Sequence, residues 1–107
     1  AEALAAWRGT VLRAAEEVET ALSRLSEAHR QRANLERQVS ALSRARAQAQ
    51  DAYTGGVVGL IEVTDADREL LAASDTLASV RAEEARAAVA AYRALGGGWT
   101  SDGKERS

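Results

Sequence analysis

Apolar residues recur along the first half of the chain at intervals that alternate between three and four. The series runs Leu4, Trp7, Val11, Ala14, Val18, Ala21, Leu25, Ala28, Arg32, Leu35, Val39, Leu42, Arg46, Ala49, Tyr53, and only Arg32 and Arg46 break it. A 3.5-residue repeat held without a slip keeps one stripe turned toward a partner helix, and predicts a long supercoiling helix over about residues 3–53. At 1.5 Å per residue such a helix would be roughly 75 Å long. No compact domain encloses a rod of that length, so the chain is expected to act by reaching or by lining something.

The glycines of Thr54-Gly55-Gly56-Val57-Val58-Gly59 then predict a turn over 54–59, since glycine adopts positive φ and closes helices as a C-cap. A second helix is expected over about 60–95. Thr64 or Asp65 is the expected cap of its first turn, and Gly96-Gly97-Gly98 its expected end. Residues 100–107 read as a polar, flexible tail. A connection this short makes the two helices antiparallel neighbours, an αα-hairpin.

The second helix differs from the first in carrying two apolar stripes. One is Val63, Ala66, Leu70, Ala73, Leu77, Val80, Glu84, Ala87, Ala91, Ala94; the other is Leu71, Asp75, Ala78, Ala82, Ala85, Val89, Tyr92. On a heptad wheel their centres stand roughly 150° apart. A helix in a simple pair needs one stripe. Two nearly opposed stripes call for neighbours on both sides, as in the wall of a helical barrel or the middle of a bundle. The polar positions between them, Asp65, Glu69, Ser79, Glu83, Arg86 and Arg93, suit either a solvated surface or a water-filled lumen, as do Glu16, Ser23, Arg30, Arg37, Arg44 and Asp51 on the first helix.

Composition supports the rods. Of 107 residues, twenty-five are Ala and thirteen of the fourteen basic residues are Arg, both strong helix formers, and there is no Pro to break a helix. The absence of Cys removes disulfide and thiolate chemistry. A net charge of −2 gives no electrostatic case for nucleic acid. The longest apolar run, around Val57 to Ile61, falls far short of the about 20 residues that span a bilayer as a helix. The missing initiator Met and the lack of a charged-then-apolar leader suggest a fragment or a processed chain.

Candidate chemistry is sparse. His29 is the only histidine and has no Cys or Glu-x-x-His partner, so no metal site is expected. A nucleophile needs a positioned base and a concave site, and neither is legible, so no enzyme and no cofactor are expected. Gly55, Gly56 and Gly59 follow no strand and do not read as a phosphate loop. Arg32 and Arg46 can extend beside carboxylates such as Glu36, setting the register of the pair or tuning assembly. Tyr53 reads either as the last core residue of the stripe or as a partner contact at the turn. Trp7 and Trp99 belong at the same end of the folded hairpin.

Taken together, the segments Ala49-Gln50-Asp51-Ala52-Tyr53-Thr54-Gly55-Gly56, Leu60-Ile61-Glu62-Val63-Thr64-Asp65-Ala66-Asp67-Arg68 and Ala91-Tyr92-Arg93-Ala94-Leu95-Gly96-Gly97-Gly98-Trp99 resemble the C-terminal helical hairpin of the TolC, OprM and NodT-type outer-membrane efflux proteins. Trp7-Arg8 and Thr10-Val11-Leu12 through Leu22 resemble the family's entry into the first helix, so the likeness covers about residues 5–99. It implies an all-α fold, a long antiparallel coiled-coil hairpin forming part of a trimeric α-barrel, with no β-barrel strand in this segment. It implies an outer-membrane channel of a tripartite system that exports small molecules, this segment lying in the periplasm of a Gram-negative cell. The implied partners are the other protomers of a homotrimer, a periplasmic adaptor (membrane fusion protein) docked at the hairpin tip, an inner-membrane pump indirectly, and the outer membrane through a β-barrel outside this chain. The implied adaptor-facing residues are Tyr53, Gly55, Gly56, Val57, Val58, Gly59, Leu60, Val63 and Asp65. The chain departs from the family pattern at Ala52, Thr64 and Asp67, where Arg, Leu and Gln are usual, and Val58 stands where some relatives carry a polar or basic residue. Charged gating contacts are therefore not implied at this tip. Alternatives of other kinds are a tethering coiled-coil hairpin, such as that of a periplasmic adaptor, and the channel of a type I protein secretion system.

Overall fold

The computed structural model describes the backbone of residues 2–106 and the side chains of residues 2–96. Two helices make up the fold, α1 (Glu2–Thr54) and α2 (Leu60–Arg106), joined by a five-residue turn, and there is no strand among the described residues. This is the all-α helical hairpin expected from the heptads.

One cap and one boundary differ from expectation. α2 starts at Leu60, so Thr64 and Asp65 lie inside the helix and cap nothing. Gly59 takes the cap position, and the Glu62 N–H donates to its carbonyl at 3.3 Å. The Thr64 hydroxyl donates back to the Leu60 carbonyl at 3.1 Å, as mid-helix threonines do. The charge that complements the positive helix end is Glu62, in the first turn. At the other end, α2 passes through the glycines at 96–98 and continues to Arg106, where a stop and a polar tail were expected. Glycine weakens a helix interior by about 1 kcal/mol relative to alanine but keeps its N–H, and no proline follows to block the ladder. The side chains of Trp99 and of 100–107 lie outside the described residues.

The chain forms two compact units. The first, Arg30–Ala82, holds the end of α1, the turn and the start of α2. Its core is the predicted pairing of stripes. Leu35, Val39, Leu42 and Ala49 of α1 are half-buried against α2, where Val63, Ala73 and Leu77 are buried and Ala66, Leu70 and Val80 half-buried. Small residues at Ala66 and Ala73 allow the helices to approach closely, and the larger Leu77 and Leu70 fill between them. Both interruptions of the α1 stripe find carboxylates. Arg32 donates to Glu36 one turn away at 2.9 Å, and Arg46 pairs with Asp67 across the hairpin.

The second unit joins Ala1–His29 to Glu83–Ser107. Ala28 and Ala91 are buried there, with Val18, Ala21, Leu25, Ala87 and Ala94 half-buried. The His29 ring nitrogen Nδ1 lies 2.7 Å from the Glu84 carboxylate, which bridges α1 to the one acidic position in the α2 inner stripe. Leu4, Trp7 and Val11, the first members of the α1 stripe, are exposed.

Candidate functional site

Apolar surface remains open at the start of α1, at the turn and along the second stripe of α2, and the last two are continuous with the paired region of the hairpin. The turn is built by backbone hydrogen bonds. Gly56 has φ of +76°, the one positive φ among the described residues. Its N–H donates to the Tyr53 carbonyl at 3.0 Å, and the Val57 N–H donates to the Ala52 carbonyl at 2.8 Å. That pair of bonds, with glycine in the left-handed conformation just past the helix, is a Schellman cap. Gly55 continues the helical pattern, donating to Asp51 at 2.9 Å.

A Schellman cap usually packs the residue after its glycine onto the helix three to four residues back from the end. Here that residue is Val57, and the position beneath it is Ala52, too short to reach it. Val57 therefore stands 81% exposed. Leu60 and Ile61, the first residues of α2, are exposed beside it, Ile61 at 69%, and Tyr53 is exposed at the end of α1. The tip is thus an apolar knob of four large side chains on a hydrogen-bonded turn. Such a surface is suited to docking against another apolar surface.

Of the residues expected at the tip, Tyr53, Gly55, Gly56, Val57, Gly59, Leu60 and Asp65 are exposed and Val58 half-buried. Val63 is not on this surface: at 5% exposure it belongs to the inner stripe and packs the hairpin. Its place is taken by Ile61, which the sequence reading passed over. Ile61 stands fourteen residues before Asp75, in register with the second stripe of α2, and carrying that stripe back to the turn is the signal that would have found it.

The second stripe of α2 is exposed along its whole described length. Leu71 is 64% exposed, and Asp75, Ala78 and Ala82 follow it in the tip unit. In the other unit Ala85, Val89 and Tyr92 are exposed, Tyr92 at 79%. An open groove there is lined by Ala85, Arg86, Val89, Ala90 and Arg93. Every inner-stripe position of α2 is at least half-buried while every outer-stripe position is open. The helix carries two stripes at heptad spacing, and the hairpin covers one of them.

Charge is concentrated where α1 and α2 meet in the tip unit. Glu36 accepts from Arg32 and from Arg81 of α2, the latter at 3.3 Å. The Arg32 hydrogen bond first, and that of Arg81 second, hold the Glu36 carboxyl below the usual glutamate range. Among the described residues no three His, Cys, Asp or Glu side chains gather as for a metal ion. Among the described residues no helix is long and apolar enough to cross a membrane.

Comparison with known proteins gives a consistent direction. The chain is 36% identical over 105 residues to a Pseudomonas putida protein named pyoverdine export outer membrane protein OpmQ, a match covering 98% of this chain and 22% of that protein. It is 32% identical over 101 residues to a Pseudomonas aeruginosa protein of the same name, covering 94% of this chain and 21% of the relative. The chain therefore spans about a fifth of the length of the curated relatives it matches. No protein-family model and no solved structure matches it.

Proposed function

Because this chain belongs, over the segment it shares with those relatives, to the outer-membrane efflux proteins, we propose that it forms part of the helical wall of an export channel. The observation that carries this reading is the second stripe of α2. Seven positions at heptad spacing, from Leu71 to Tyr92, are exposed in the hairpin. Leaving such a stripe wet forfeits about 25 cal/mol for each Å² of apolar surface, so the stripe acquires a purpose only when other helices flank α2. In this reading those helices come from the rest of the protomer and from two further copies, closing a trimeric barrel in the periplasm. The channel works by passive conduction, and a pump elsewhere supplies the energy. The relatives are named for pyoverdine export; the proposal for this chain is export of small molecules of that general size.

The turn is the periplasmic tip in this reading, and its apolar knob docks a periplasmic adaptor. Val57 and Ile61 carry the contact, supported by Tyr53, Leu60 and the glycine-shaped backbone of Gly55, Gly56 and Gly59. A charged residue at Val57 or Ile61 leaves the fold intact, because both side chains are exposed. The test is Val57→Asp with Ile61→Asp in the full-length channel. Export and adaptor crosslinking should be lost while the channel still assembles in the outer membrane. Undiminished export in that variant would remove the tip from the docking interface.

A further inference from the structure

The two stripes of α2 decide which polar side of the hairpin faces the lumen, given the barrel reading above, on which this inference rests. A helix in a closed ring touches one neighbour on each side. The directions to those neighbours enclose less than a straight angle on the lumen side and more than one on the outside. On α2 the stripe centres stand about 150° apart by heptad geometry, so the two polar strips between them are unequal in width. The narrow strip of the tip unit holds Asp67, Ser74 and Arg81; the wide one holds Glu69, Thr76 and Ser79.

The ion pairs then carry the assignment across to α1. Arg81 reaches Glu36 at 3.3 Å, and Asp67 is bound by Arg46. Both cross-helix pairs of this unit lie on the narrow side. Ser43 and Gln50 follow Glu36 at seven-residue intervals, so they share its side of α1, and both are exposed.

We propose that this narrow side, made of Asp67, Ser74 and Arg81 on α2 with Glu36, Ser43 and Gln50 on α1, lines the conduit, and that the Glu69, Thr76 and Ser79 side faces outward. Both carboxylates on the lining are ion-paired: Glu36 holds Arg32 and Arg81, and Asp67 holds Arg46. Permeating solutes therefore meet hydroxyls, an amide and paired ions, a hydrogen-bonding surface. That chemistry passes polar solutes without binding one charge sign tightly enough to hold it.

The experiment uses the full-length channel in planar bilayers, with Ser74→Cys and Ser43→Cys on one side and Ser79→Cys and Thr76→Cys on the other. Each variant is treated with a sulfonate-bearing thiol reagent, and reaction is verified by mass. Modification at 74 and 43 should lower single-channel conductance and shift the reversal potential toward cations, with no change at 79 and 76. The opposite pattern, block from 79 and 76 only, overturns the side assignment and leaves the barrel standing. No effect from any of the four removes this hairpin from the conduit wall and overturns both readings.

Discussion

At the scale of single residues, Gly56 and Glu36 carry the most specific consequences. Gly56 sits at φ +76° with nothing within 4 Å of where a side chain would begin. Substitution there is therefore limited by backbone strain alone. Gly56→Ala should cost about 1 kcal/mol, the usual penalty for a left-handed non-glycine residue. The readout is faster hydrogen exchange of the Val57 amide, which closes the Schellman cap. Gly55→Ala should cost much less, because Gly55 is not in the positive-φ region.

Glu36 titrates in a defined direction. Its carboxyl is held below the usual range in the folded chain, by Arg32 first and Arg81 second. A group whose folded value is depressed contributes stability above its unfolded value and loses it as pH falls through the folded one. Protection of the Arg30–Ala82 unit against exchange should thus be level above the ordinary glutamate range and fall as pH drops below it. Glu36→Gln should flatten that part of the profile. An unchanged profile would mean that the contacts with Arg32 and Arg81 have no energetic weight.

At the scale of elements, α2 separates folding from assembly. Its inner stripe holds the hairpin together and, in the proposed channel wall, its outer stripe meets other helices, so substitutions on the two should have different signatures. Leu77→Ala removes a buried side chain and should destabilise the hairpin by about 2–5 kcal/mol, seen as a loss of exchange protection on both helices. Ala82→Glu, on the outer stripe, should leave hairpin protection unchanged and abolish trimer formation, read by sedimentation or native mass of the detergent-solubilised channel. A buried, unpaired carboxylate among close-packed alanines is costly enough to break that contact. If Ala82→Glu assembles normally, the outer stripe is not an interface.

At the scale of the whole molecule, the heptads made the architecture legible before any coordinates. From Val18 to Leu42 every position of the α1 stripe is buried or half-buried, and so is every described position of the first α2 stripe. Periodicity records which face is apolar over many turns, and that record survives in any context. What escaped it depends on single hydrogen bonds or on register. Thr64 and Asp65 have the right chemistry for a cap, but Gly59 and Glu62 start the helix a turn earlier. The glycines at 96–98 read as a stop, yet a stop also needs a left-handed residue or a proline, and α2 continues. The pairs His29–Glu84, Arg46–Asp67 and Glu36–Arg81 require the exact alignment of two helices, which sequence spacing within one helix does not provide. Tip residue Val63 turned inward for the same reason that made it part of a stripe.

The central claim is that α2 is flanked on both faces in the assembled protein. The direct measurement is thiol labelling of Ala82→Cys and Ser79→Cys in intact outer membranes, with a hydrophilic maleimide small enough to enter a channel. Position 82, exposed in the isolated hairpin, should resist labelling until the protein is denatured, while position 79 reacts promptly. Equal, rapid reaction at both positions would mean that nothing packs against the outer stripe and that the hairpin is no part of a closed wall.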